Sequence, residues 1–236
     1  MAFVAGTPRK DVTAFDAVVF DLDNTLCRSE QSAETIYYGA FERAGVDPVG
    51  TPEDLWAALE GPPAVEDEVG YFADGFRRVL GEGHGADPTV LAEHLLDIVE
   101  HGAVSYEPGA REALSAAAAN GPVGLLTNGP ERRQAPKLDT LDLTATFDSV
   151  VYAGDMPRRK PHADPFDRAI ADLGTDPART LYVGDSPEYD VAGARAAGWP
   201  VAWYRADPDA PDPADHDPDH VLEELASLAA LLEGDP

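Results

Sequence analysis

The sequence predicts an α/β fold with a parallel sheet buried on both faces and a small helical unit inserted after the first strand. Two observations carry that expectation. The segments DAVVF (16–20), PVGLLT (122–127), FDSVVYA (147–153), TLYVG (180–184) and PVAWY (200–204) are short, nearly continuous apolar runs separated by helical patterns. Strands covered on both faces read this way, whereas half-exposed antiparallel strands alternate. In addition, about a hundred residues separate the first run from the second, far more than one crossover needs.

The elements follow in order. The long interval holds four helical patterns, at 32–45, 52–60, 65–80 and 88–103, divided by Gly and Pro clusters. They predict a cap over 28–105, with 1–27 and 106–236 forming the main body. The helix GAREALSAAAAN (109–120) leads to the second strand. Pro136 falls inside the next helical pattern, so that helix is expected either to begin late or to kink. Asp164 with Pro165 marks the start of a further helix that stops at Gly174, and EYDVAGARAA stops at Gly198. The alternating Asp and Pro of 207–220 suit a solvated loop, and HVLEELASLAALLE (220–233) a last short strand and closing helix.

Composition narrows the function. The 236 residues carry 44 acidic and 17 basic side chains, a formal charge of −27, spread among Val, Leu, Ile and aromatics. Such a surface repels nucleic acid and anionic membrane; the spread of the acids argues for a folded body, and their excess is read as adaptation to high salt. No apolar window of roughly 18 residues suggests a membrane span, and MAFVAGTPRK is too short in apolar residues for a secretory signal, so a cytoplasmic protein is expected. A single cysteine, Cys27, allows no internal disulfide; with no Cys–His pairing it reads as a small packed residue.

In open parallel sheets, sites form beyond the carboxyl ends of the strands. At those ends lie Asp21 and Asp23, then Thr127 and Asn128, then Lys160, one of only three lysines, then Asp185 and Asp190. Each alone suits a cap or turn. Together, four acids at one edge would repel one another without a cation, and hard oxygen ligands suit Mg²⁺. A lysine, a hydroxyl and Mg²⁺ make a phosphoryl-binding set. No Walker loop is present, and no Ser or Cys nucleophile has a nearby base, whereas an Asp carboxylate can itself attack phosphorus. Asp21 and Asp23, two apart on extended backbone, share a side.

The ordered set DLDNTL (21–26), LLTNG (125–129), KP (160–161) and GDSPEYD (184–190) resembles the motifs of the haloacid dehalogenase-like (HAD) superfamily of hydrolases, over roughly 15–204. The resemblance implies a Rossmann-like core with a mobile cap. It implies Asp21 as nucleophile and Asp23 as the group that protonates the leaving oxygen and then activates water. It further implies Thr127, with backbone near Asn128, and Lys160 as phosphoryl ligands, and Mg²⁺ on Asp21, the Asp23 carbonyl and Asp185 with Asp190 behind them. Dehalogenases of the group lack the second Asp, so Asp23 favours a phosphatase over a dehalogenase; a phosphomutase would keep both acids. The expected substrate is a small phosphorylated metabolite of phosphoglycolate, sugar-phosphate or nucleotide type. The protein is expected to be a monomer or homodimer, with Arg28, Tyr37, Tyr38 and Arg77 or Arg78 as cap candidates for substrate choice, each of which on its own suits helix surface or packing better.

Overall fold

The computed structural model describes residues 15–60, 67–206 and 217–234. The start of the helix expected at 65 and most of the Asp/Pro stretch lie outside the described residues. Six strands, β1 (Ala17–Phe20), β4 (Val123–Thr127), β5 (Ser149–Tyr152), β6 (Thr180–Gly184), β7 (Val201–Tyr204) and β8 (His220–Leu222), form one sheet in the order β5-β4-β1-β6-β7-β8. Every pairing in it is parallel. All six carboxyl ends therefore face the same edge. The chain proceeds from β1 outward through β4 to β5 on one side, and through β6, β7 and β8 on the other, so β1 stands at the switch point where such sheets open a crevice.

Helices cover both faces, which is why the strands are apolar throughout. Val18 and Phe20 of β1 join Leu125, Leu181 and Val183 in a core shared with α5 (Ala110–Asn120) and Leu228 of α9 (Leu228–Glu233). The alternate residue Val19 joins Leu126 and Tyr182 in the opposite core, against α7 (Ala163–Leu173) and α8 (Ala192–Ala196). The strand period of two thus divides one apolar run between two cores. Helix α7 begins two residues earlier than its Asp-Pro pair suggests: His162 is the cap residue, and Asp164 in the first turn pairs with Arg158.

A third core lies within the insert. Tyr37 and Phe41 of α1 (Ala33–Ala44), Leu55 of α2 (Pro52–Ala58), Phe76 of α3 (Glu68–Leu80) and Leu91 of α4 (Pro88–Ile98) pack together. Their ends are set locally. Ser32 accepts from the Thr35 amide, Gly45 closes α1 at φ 68°, and Thr51 and Asp54 form a reciprocal capping box with Pro52 in the first turn. The two chain passages into this unit pair as a short antiparallel ribbon, β2 (Cys27–Ser29) with β3 (Val104–Tyr106), which no sequence period announces.

Helix α6 (Glu131–Thr140) removes one of the two alternatives for Pro136, the late start. It neither starts late nor places the proline in its first turn: it begins right after Pro130 and carries Pro136 inside. The proline withholds a backbone donor from the Arg132 carbonyl, a cost of about 3 kcal/mol for an interior position. The first turn is secured from outside, where the Glu131 amide donates to Asp155 Oδ2 at 2.7 Å.

Candidate active site

The seven polar residues expected at the sheet edge do converge. Asp21 follows directly on β1, its amide still donating to the Val183 carbonyl, so the strand sets its position. The chain then turns tightly: Asn24 adopts φ 59°, a left-handed conformation that Asn tolerates, and the Leu26 and Cys27 amides donate back to the Leu22 carbonyl. That turn presents Thr25, whose hydroxyl donates to Asp185 at 3.2 Å.

Lys160 is the centre of the buried network. It is 4% exposed, and its Nζ donates to Asp21 Oδ1 and Asp190 Oδ1, each at 2.6 Å. The Tyr182 hydroxyl at 2.8 Å and the Leu126 carbonyl at 3.1 Å complete its surroundings. Its loop is fixed to the end of β4 by Asn128, whose side chain accepts from the Lys160 amide at 2.9 Å and donates to the Lys160 carbonyl at 3.2 Å. Asn128 thus positions the lysine. Burial opposes the Lys160 charge, but Asp190 and Asp21 outweigh it and the net direction is upward.

Asp190 sits in a single π-turn, Pro187–Val191, instead of the regular helix its sequence suggests. It accepts from Lys160, from Tyr182 at 3.0 Å and from the Ser186 amide at 2.9 Å. Its carboxyl carbon lies so near Gly184 that a Cβ there would approach to 2.5 Å, which accounts for glycine at the end of β6.

The Asp21, Asp185 and Asp190 carboxylates bring oxygens within 4.8 Å of one another. Burial, then the neighbouring Asp190, pushes Asp185 up to about 6. Burial raises Asp21 as well, and Lys160 only partly offsets it. Three crowded carboxylates facing one ammonium leave an excess of buried negative charge, and every donor is a hard oxygen. The residues present therefore fit a divalent cation such as Mg²⁺. Asp21 and Asp185 have the coordinating capacity, because Asp190 already spends its oxygens on three donors.

Asp23 belongs to a different set of contacts. Lys137 Nζ lies 2.5 Å from its Oδ1, and Gln134 Nε2 donates to its Oδ2 at 2.8 Å. The same Gln134 amide donates to Thr127 Oγ1 at 2.7 Å, and the Gly129 amide donates to that oxygen at 3.3 Å. With both contacts arriving as donors, the Thr127 hydroxyl proton is directed by neither and can be given to a bound oxygen. Gln134 and Lys137, three apart on one face of α6, are functional residues the sequence reading missed, as is Tyr182. A tyrosine within an otherwise apolar strand was the available signal, since a buried phenol needs a partner. Cys27 is buried beside Asp23, and burial pushes its thiol up to about 12, which agrees with a packing role.

A cavity of about 590 Å³ opens from Asp23, Asn128 and Lys160 toward the helical unit. Of the cap candidates, Tyr37 lines it. Arg28 and Tyr38 are exposed, Arg77 pairs with Asp74, and Arg78 reaches the Ala58 carbonyl and Glu60. Glu68 of α3 pairs with Arg132 at 2.7 Å and Arg133 at 3.3 Å on α6, tying the two sides of the cavity together.

A parallel sheet with a clustered aspartate site at the carboxyl edge of its switch strand defines a protein of the Rossmann-like α/β class. The chain belongs to the haloacid dehalogenase-like hydrolase family, whose model matches residues 15–198. It is 30% identical over 208 residues to the phosphoglycolate phosphatase of Escherichia coli (strain K12), with 78% of each chain covered. Among solved structures, it resembles a HAD-hydrolase of Bacillus subtilis, with a TM-score of 0.72 and 23% identity, covering 93% of this chain and 99% of that one. It also resembles a 2-haloacid dehalogenase of Pseudomonas syringae pv. Tomato DC3000, with a TM-score of 0.65 and 28% identity over 93% and 99% of the two chains.

Proposed function

We propose that the protein is a Mg²⁺-dependent phosphatase that hydrolyses a small phosphorylated metabolite through an aspartyl-phosphate. The observation that carries this reading is the pairing of two unlike aspartates. Asp21 is buried against Lys160, while Asp23 is more open, held by Gln134 and Lys137, and lines the cavity. A dehalogenase has no proton to deliver to its leaving halide, so a second, separately oriented carboxylate favours an ester. The phosphatase among the relatives supports the same choice.

In this scheme Asp21 attacks phosphorus, and the bond to the ester oxygen breaks as Asp23 passes it a proton. Water then attacks the acyl-phosphate with Asp23 taking the proton, and Asp21 is released. Lys160 holds the attacking carboxylate in place, and Thr127 gives a hydrogen bond to a phosphoryl oxygen. The Asp21 and Asp185 carboxylates, with the Asp23 carbonyl and Asp190 behind them, would hold Mg²⁺, which when bound offsets the charge of the transferring group. Residues 28–105 would act as a cap over the body formed by 1–27 and 106–236, and exclude water from the site.

Turnover of p-nitrophenyl phosphate tests the reading. Activity should be lost after dialysis against a chelator and restored by millimolar Mg²⁺; turnover unchanged by the chelator would remove the metal from the scheme. No described helix is long and apolar enough to cross a membrane. A cytoplasmic enzyme working at high salt fits the excess of 27 negative charges, and its melting temperature should rise as KCl goes from dilute to molar. A melting temperature already maximal in dilute buffer would count against salt adaptation.

A further inference from the structure

The cavity above the aspartates is larger and more apolar than a short phosphorylated acid requires. Its volume of about 590 Å³ falls within the roughly 300–1,000 Å³ of sites that take drug-sized ligands, and an acid as small as phosphoglycolate leaves part of it unfilled. The unfilled part lies against the helical unit, where Ile36, Leu55, Trp56, Phe72, Leu95 and Leu96 line it.

Most of the positive charges that also line the cavity are accounted for without a second anion on the substrate. Lys137 is paired with Asp23, and Arg133 with Glu68. Burial, then Arg133 and Lys137, disfavours the protonated form of His101, so it adds little positive charge. Arg159 lines the cavity with no carboxylate within ion-pair distance among the described residues, and its charged neighbours are Arg133, Glu68, Asp155 and Arg132. The basic side chains thus lie where α6 and the Lys160 loop wall the cavity, and the wall built by α1, α2, α3 and α4 is left to the apolar side chains. A short acid would leave those side chains facing water.

From this division we infer that the enzyme's substrate is a phosphate monoester of a bulky apolar alcohol, best an arylalkyl one, whose ring lodges among Trp56, Phe72 and Leu96. The inference rests on the phosphatase reading and names the alcohol that reading leaves open. Seating a phenyl ring in such a site should raise kcat/KM by about ten- to a hundredfold.

The test compares phenylpropyl phosphate, propyl phosphate and phosphoglycolate as substrates in the presence of Mg²⁺. The first two release primary alcohols of similar acidity, so the chemical step is held constant while the apolar group changes. Phenylpropyl phosphate is expected to exceed both others by about ten- to a hundredfold in kcat/KM. Trp56 is 56% exposed, so Trp56→Ala leaves the helical core intact and should cut the phenylpropyl-to-propyl ratio several-fold. Leu96→Gln, at a half-buried position on the same wall, should do likewise, with a thermal melt confirming that each variant is folded. Equal or better use of propyl phosphate or phosphoglycolate by the parent protein would overturn the inference while leaving the phosphatase reading intact, as would a ratio unmoved in both folded variants. If none of the three esters is hydrolysed, yet p-nitrophenyl phosphate is, the apolar subsite is again refuted; if no ester at all is hydrolysed, the phosphatase reading falls and the inference with it.

Discussion

Asp21→Asn should lower kcat for p-nitrophenyl phosphate by on the order of 10⁴ to 10⁶, with the protein still folded. The amide keeps the shape of the carboxylate and an oxygen for Lys160, but it cannot form the covalent bond to phosphorus. The stability consequence runs the other way. Burial raises Asp21, as do Asp190 and Asp185, so its charged form is disfavoured in the folded state without a cation. Removing that charge should leave the metal-free melting temperature equal or higher, by about 1 kcal/mol or less in stability. The increment on adding Mg²⁺ should shrink, because a ligand that binds only the folded state stabilises in proportion to its affinity. Retention of activity within tenfold would show that Asp21 is not the nucleophile. An unchanged Mg²⁺ increment would show that it is not a metal ligand.

Asp21 and its neighbours were legible because their signal is one-dimensional: a run such as DAVVF must be a buried strand, and polar residues directly after several such runs must share an edge. Elements without a period stayed hidden. The β2–β3 ribbon has three residues on each side, too few for an alternation to register. The π-turn at Pro187–Val191 arises because Asp190 must reach Lys160, Tyr182 and the Ser186 amide together, a demand that exists only in three dimensions. Pro136 pointed away from a continuous helix, and so from Gln134 and Lys137, the residues on that helix that reach Asp23. The cap side of the cavity was legible only in part for a related reason. Exposed arginines attract notice in a sequence, whereas the cavity is walled mainly by side chains such as Leu55 and Phe72, which also belong to the helical core.

Two lysine substitutions separate the contributions of burial and of charge. Lys160→Met is expected to abolish detectable turnover and to cost about 3–5 kcal/mol of stability, the range for removing one partner of a buried pair. The ammonium is enclosed by the Asp21 and Asp190 carboxylates, the Tyr182 hydroxyl and the Leu126 carbonyl. A thioether satisfies none of these groups, and the carboxylates are left to repel one another in a buried site. Lys137→Met breaks an ion pair just as short, at 2.5 Å, yet the Asp23 side chain is 45% exposed. Water can replace the lost partner there, so the stability cost should be about 1 kcal/mol or less. Its effect should appear in the chemistry instead. Misplacing Asp23 matters most where the leaving oxygen needs a proton, so an alkyl phosphate should slow more than p-nitrophenyl phosphate, whose leaving group departs readily as an anion. Chemical denaturation of both variants, together with kcat for an alkyl and an aryl ester, measures the two effects separately. Similar stability losses at Lys160 and Lys137 would contradict the burial argument. Equal slowing of both esters in Lys137→Met would mean that the lysine does not act through the orientation of Asp23.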